Sequence, residues 1–192
     1  MTWMLTAGGR KITVDAIEPQ DIAIEDLAAH LAKICRFTGA CRIQWSVAEH
    51  SLLVSEILAD EYPLDHDLQL CGLLHDAPEA YLQDLATPVK AHVAATYKPL
   101  ERAAWYAVAE RFGLPLSMPR EVEHADLVAL ATERRDLMPA HAEQWSVLEG
   151  IKPIDDRVGR HERHWSVVQD AFLNRFHQLI GQRAIAAAGS VA

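Results

Sequence analysis

An all-α fold with a small β-hairpin in front is what this sequence predicts, and three observations carry that expectation. Apolar residues recur at three- and four-residue steps through most of the chain, the spacing of amphipathic helices. Glycines and prolines mark the boundaries of those stretches, at Gly39, Pro63, Pro88, Gly113, Pro115 and Pro119. Only residues 1–14 break the pattern. There, residues 3–6 and 11–14 flank Gly8-Gly9, a dipeptide suited to the positive φ angles of a tight turn.

The helices follow in order. From residue 24 to about 37, Ile24, Leu27, Ala28, Leu31 and Ile34 share a face, and Gly39 favours a stop. Residues 38–45 read as a loop. Ser46 then opens a helix with a capping box, its hydroxyl accepting from the amide three residues on while Glu49 reaches back. One turn inside, His50 shares a stripe with Leu53, Val54, Ile57 and Leu58. A turn around Tyr62-Pro63 leads to a helix over about 67–77, which Pro78 should end or kink near His75-Asp76.

Pro88 marks a second break. Residues 98–112 form a helix with Leu100, Ala103, Ala104, Ala107 and Val108 in register, stopped by Gly113. Pro119 suits the first turn of a helix running to about 138. Along it, Asp126 interrupts a stripe of Val122, Ala125, Ala129 and Leu130. Residues 139–160 read as loop. A last helix over about 160–187 is expected to bury Trp165, Val168, Phe172, Phe176 and Leu179, with an Ala-rich end that frays.

At 192 residues the chain fits one domain, 1–192, with a sizeable core. Half the residues are hydrophobic and 23% are charged, as in soluble globular proteins. Cys35, Cys41 and Cys71 are odd in number and form no CxxC pair. That argues against a disulfide framework or a thiolate zinc site and leaves reduced, buried thiols. A net charge of −9 disfavours extended nucleic-acid binding. A small anion stays compatible, because a bound cation and a few arginines reverse the local field. The first residues show no charged-then-apolar signal, and no apolar run reaches membrane-spanning length. The expectation is a cytoplasmic protein with no membrane partner.

Three polar groups stand where helices should be apolar: His50, the pair His75-Asp76, and Asp126. Helical bundles build metal sites from inward-facing side chains on separate helices. Two imidazoles and two carboxylates suit Mn2+, Fe2+, Co2+, Ni2+ or Zn2+, with positions left open for water. The alternative for a lone histidine on such a face is a hydrogen-bonded core residue. The alternative for Asp126 is an ion pair with Arg134 or Arg135.

The order His50, His75-Asp76, Asp126 is similar to the signature of the HD-domain metal-dependent phosphohydrolases. SVAEHSLLV around His50 and HDAPEAYLQDLATPVK from His75 to Lys90 closely resemble the bacterial HD-domain 5′-deoxynucleotidases, with the phage dATP triphosphohydrolases a related group. The resemblance spans about residues 30–135. It implies an HD-type helical bundle with His50, His75, Asp76 and Asp126 as metal ligands. Glu79 would handle protons at the leaving group or attacking water, and Asp84 would lie beside sugar and phosphate. Arg36 and Phe37 resemble an Arg–aromatic pair that holds the nucleotide, with Phe in place of Trp and one residue fewer before His50. Arg42 is a rival phosphate contact. Thr87 and Lys90 lie in the matched loop as further substrate contacts.

The implied activity is hydrolysis of a deoxynucleoside 5′-monophosphate, releasing phosphate by attack of an activated water. The implied cofactor is one of the divalent ions above, with Mg2+ also admitted, and the implied assembly is a homo-oligomer, dimer or larger. Two alternatives stay open. A dNTP triphosphohydrolase would use the same ligands and release triphosphate. A non-catalytic nucleotide-binding HD domain would lack a ligand or Glu79, and neither is lost in this sequence.

Overall fold

The helix that organises the molecule is α2 (Val47–Glu61), whose residues from Val47 through Ser55 are all buried. A helix apolar on every side needs neighbours on every side. It packs on α1 (Ile24–Leu31), α3 (His66–Leu74), α7 (Arg120–Leu137) and α8 (Trp165–Gly189). The computed structural model describes residues 3–189, so the first two residues of the expected hairpin and the last three of the chain lie outside the described residues. Within that range the protein is mostly α-helical. The only sheet among the described residues is the antiparallel pair β1 (Met4–Leu5) and β2 (Lys11–Ile12), with Met4 opposite Ile12 and Leu5 opposite Lys11.

One hydrophobic core runs from Ile12 and Leu27 through Leu58, Leu70 and Leu74 to Phe172 and Leu179. The approach of α3 to α2 depends on Gly72, where an added Cβ would fall 2.4 Å from Leu58 Cδ1. The remaining helices, α4 (Glu79–Leu82), α5 (Thr87–His92) and α6 (Ala94–Phe112), close the side next to His75 and Asp76.

Several elements differ from the sequence expectation, each for a local reason. The hairpin strands are shorter than expected, because a 3-10 turn takes Val14–Ala16. Only Gly9 of the turn glycines has positive φ; Gly8 instead gives its N–H to the buried Asp26 Oδ1 at 2.5 Å. Helix α1 ends at Leu31, well before residue 37. Phe37 and Thr38 both have φ 54° and lie inside a separate 3-10 turn, Arg36–Gly39. Pro88 sits in the first turn of α5 rather than breaking a helix, since that position has no partner for an N–H. Helix α6 begins at Ala94 and carries Pro99 within it.

Trp165 is 39% exposed at the start of α8, its ring covered by Lys33 Nζ at 4.3 Å, so it is not core. The helix continues through the Ala-rich stretch to Gly189. Of the free thiols only Cys71 is buried; Cys35 and Cys41 are half-buried. Among the described residues no helix is long and apolar enough to cross a membrane.

Candidate metal centre

The Ser46 capping box forms as the sequence implies. Ser46 N–H donates to Glu49 Oε2 at 2.8 Å, and Glu49 N–H donates to Ser46 Oγ at 3.2 Å. One residue further on, His50 is wholly buried. His75 is the residue that ends α3, with Asp76 beside it, so the pair stands at a helix terminus rather than within a helix. Asp126 projects from α7. The three elements bring these side chains together. His50 Nε2 lies 3.0 Å from Asp126 Oδ1 and 3.7 Å from Asp76 Oδ2, and His75 Nε2 lies 3.3 Å and 4.0 Å from Asp76 Oδ2 and Asp126 Oδ1. Donors bonded to one ion at about 2.1 Å stand roughly 3.0–4.2 Å apart. His50, His75 and Asp126 could hold a metal ion, their donor atoms all within 4.8 Å of one another.

Hydrogen bonding on the far side of each ring sets the tautomers. His50 Nδ1 faces Glu133 Oε1 at 2.8 Å, and His75 Nδ1 faces the Gly72 carbonyl at 2.8 Å. Both partners accept only, so each Nδ1 carries a proton, and each Nε2 offers a lone pair when its ring is neutral. Both Nε2 atoms face two carboxylates, and among the described residues neither has a hydrogen-bond partner, close as Asp126 is. Converging carboxylates in a buried site call for positive charge, supplied by a bound cation or by protons on the rings themselves. Burial and Arg36 oppose charge on His50, yet Glu133 and Asp126 outweigh them and push it up to about 10. Burial also opposes charge on His75, and Asp76 overcomes it so that its pKa rises too. Asp76 and Asp126 are held low against their burial by the same imidazoles.

Glu79, in the first turn of α4, is buried and its Oε2 has no partner. Burial raises its pKa well above the usual range, and the charges of Asp76 and Asp84 add to the effect. Asp84 is half-buried, and it too is raised, by burial first and then Asp76 despite Arg36. Lys90 is no freely solvated lysine. Its Nζ donates to Glu101 Oε1 at 2.9 Å and lies 3.8 Å from Glu79 Oε1.

Most of the other expected contact residues have partners within the protein. Arg36 is not an open fork for phosphate: it is buried, with Nε and Nη2 both 3.1 Å from Glu133 Oε2 and Nη1 3.6 Å from Asp76. Phe37 packs near Trp145, ring centres 6.0 Å apart, and Thr87 is exposed at the start of α5. Arg42 donates to the Asp136 carbonyl at the end of α7. The open space beside the centre is a cleft of about 430 Å³ lined by His75, Asp76, Glu79, Lys98, Arg102 and Trp105.

Sequence reasoning missed Glu133, the hub of this site. Fully buried, it accepts from His50 Nδ1, from Trp45 Nε1 at 2.7 Å and from Arg36. Against its burial, Arg36 and His50 hold its pKa low. A signal existed: Glu133 lies seven residues after Asp126, two turns along the same helix face.

Fold and centre together define a helical protein with a site that could hold a metal ion. The chain belongs to the family of the uncharacterized protein YfdR of Escherichia coli (strain K12), with which it is 40% identical over 151 residues, 79% of this chain and 81% of that protein. An uncharacterized protein of Rhodobacter capsulatus is 39% identical over 142 residues, 70% of this chain and 72% of its own length. No family model matches the chain.

Proposed function

We propose that this chain is a metal-dependent phosphohydrolase of the HD-domain class acting on small nucleotides, most directly a 5′-deoxynucleotidase that hydrolyses deoxynucleoside monophosphates. The observation that carries the reading is a buried glutamate, one oxygen of which has no partner among the described residues, beside a converging His–His–Asp–Asp cluster. The nearest charges also fit a divalent ion. With both imidazoles neutral, as metal ligation requires, Asp76, Asp126 and Glu133 ionised against Arg36 leave two negative charges once Glu79 holds its proton.

A divalent ion held by His50, His75, Asp76 and Asp126 would supply Lewis-acid polarisation of the phosphoryl oxygens and a lowered water pKa. The rest is done by the chain. Glu133 and the Gly72 carbonyl fix both imidazoles with Nε2 toward the cleft. Arg36 bridges Glu133 and Asp76 and so orients one ligand of the site. Glu79 lines the cleft, and its raised pKa suits it to hold or release a proton there. Asp84 and Lys90 tune that carboxyl in opposite directions.

The test is purified protein with Mn2+ or Co2+ and a nucleotide panel, scored for phosphate, pyrophosphate and triphosphate. Phosphate from deoxynucleoside monophosphates is expected. No release of any product with metal bound ends the enzyme reading and leaves a nucleotide-binding HD domain. One feature favours a triphosphohydrolase as second reading: Lys98 and Arg102 line the cleft with no ion pair among the described residues, which suits a longer phosphate chain. Triphosphate as product decides for it.

A further inference from the structure

A second cleft, of about 650 Å³, lies between α2, α8 and the segment that precedes α8. It shares no lining residue with the cleft at the metal centre. Four guanidiniums line it, those of Arg157, Arg160, Arg163 and Arg175, against the carboxylates of Glu49 and Glu56. In a chain of net charge −9, such a concentration of cations needs a physical reason.

Three of the arginines are held by the protein through part of their donor set. Arg163 Nε donates to Glu49 Oε1 at 3.1 Å, and the other oxygen of Glu49 is engaged by the Ser46 cap. Arg157 Nη1 donates to Asp136 Oδ1 at 2.9 Å. Arg175 is engaged at all three nitrogens, Nε donating to Ser55 Oγ at 3.1 Å, Nη1 to Gln178 Oε1 at 3.2 Å, and Nη2 to Gln69 Oε1 at 3.0 Å and the Ser55 carbonyl at 3.3 Å. Arg160 is exposed, and among the described residues it has no ion pair or side-chain hydrogen bond.

The segment that carries three of them is fixed in place. Val158 N–H donates to Asp136 Oδ2 at 3.0 Å, and Gly159 turns at φ +61° where a Cβ would fall 2.2 Å from Leu137 Cδ2. Guanidiniums presented by a pinned segment lose little freedom on binding, which favours affinity. The planar N–H fork matches phosphate oxygens. Trp45, Leu52 and Leu53, each opening only a small part of its surface, line the same cleft as an apolar wall, more than a bare phosphate needs.

We propose that this cleft binds a phosphorylated organic anion carrying an aromatic or apolar group, at a site separate from the metal centre. The proposal stands whether or not the metal centre hydrolyses nucleotides. The test uses the full chain freed of metal with EDTA and titrated calorimetrically with ADP and with inorganic pyrophosphate. ADP should bind saturably, and more tightly than pyrophosphate, because only ADP has a ring for the Trp45 wall. Arg160→Glu should weaken ADP binding at least about tenfold, as expected when a cation contacting phosphate is reversed. Lys98→Glu, in the other cleft, should leave it unchanged. The proposal is overturned if neither probe saturates below about 10 mM, if pyrophosphate matches ADP, or if Lys98→Glu weakens binding and Arg160→Glu does not.

Discussion

Two buried glutamates flank the histidine pair, and their surroundings give them opposite properties. Glu133 has every neighbour a carboxylate can use, with donors from His50, Trp45 and Arg36, and stays ionised despite complete burial. Glu79 has a free Oε2, two acidic neighbours and one distant lysine, and its pKa rises. The same side chain is a fully paired anchor on one flank and a carboxyl with an unpaired oxygen and a raised pKa on the other. The difference teaches that burial alone assigns no role; the count of donors around the carboxyl does.

The comparison breaks most visibly at Glu133. Glu133→Ala leaves Arg36 and His50 buried without their partner, a change that costs about 3–5 kcal/mol. Urea unfolding should register that loss, and metal affinity should fall with it because His50 loses the bond that sets its tautomer. A variant as stable as wild type would mean that Glu133 is no anchor.

Glu79→Gln should act in the reverse sense. Turnover should drop by about 10²–10⁴ while metal binding is retained. The stability effect has a definite sign. At pH well below 4.5 the Glu79 carboxyl is protonated in both the folded and unfolded chain. As pH rises above 4.5 toward the raised folded value, only the unfolded chain ionises there, so Glu79 makes the fold less stable across that window and beyond. Glu79→Gln should therefore be more stable than wild type at pH 7–8 and equal to it at acid pH, as read from thermal midpoints. A loss of stability at neutral pH would contradict the assignment.

Metal removal tests the ground between the two glutamates. Adding Mn2+ to chelated protein at about a hundred times its Kd should stabilise the fold by about 2.7 kcal/mol. Asp126→Ala should abolish that gain while leaving the chelated protein folded, because Asp126 is 40% exposed and buried His50 keeps its Glu133 partner. The smallest effect belongs to Lys90→Gln. Removing the cation 3.8 Å from Glu79 raises the Glu79 pKa further. Whichever limb of the pH–rate profile Glu79 sets should move to higher pH, with little change in the maximum.

Much of the centre was legible because its members break local patterns. His50 sits on an apolar stripe one turn after a capping box, and Asp126 interrupts another stripe; both irregularities are visible within a single helix. Glu133 was hidden for the opposite reason. It sits in ATERRD, where flanking charges make a buried acid look like a solvated helix end. Its partners come from residues 36, 45 and 50, far away in the chain. Asp26 escaped notice for a similar reason, since Thr6 and Gly8 of the hairpin engage it across α1. Trp165 misled because helical spacing marks a face and does not say whether another element covers it.

What the sequence alone determined depends on neighbours a few residues apart: most of the helices though not all their bounds, the Ser46 cap, the hairpin and the exceptional polar positions His50, His75-Asp76 and Asp126. Tertiary structure alone decided which of these meet, that Arg36 binds Glu133 rather than standing open, and that the Glu79 carboxyl is pushed up while that of Glu133 is held low. Backbone periodicity is written in contiguous residues, whereas the state of a buried carboxyl is set by donors that only folding brings within about 3 Å.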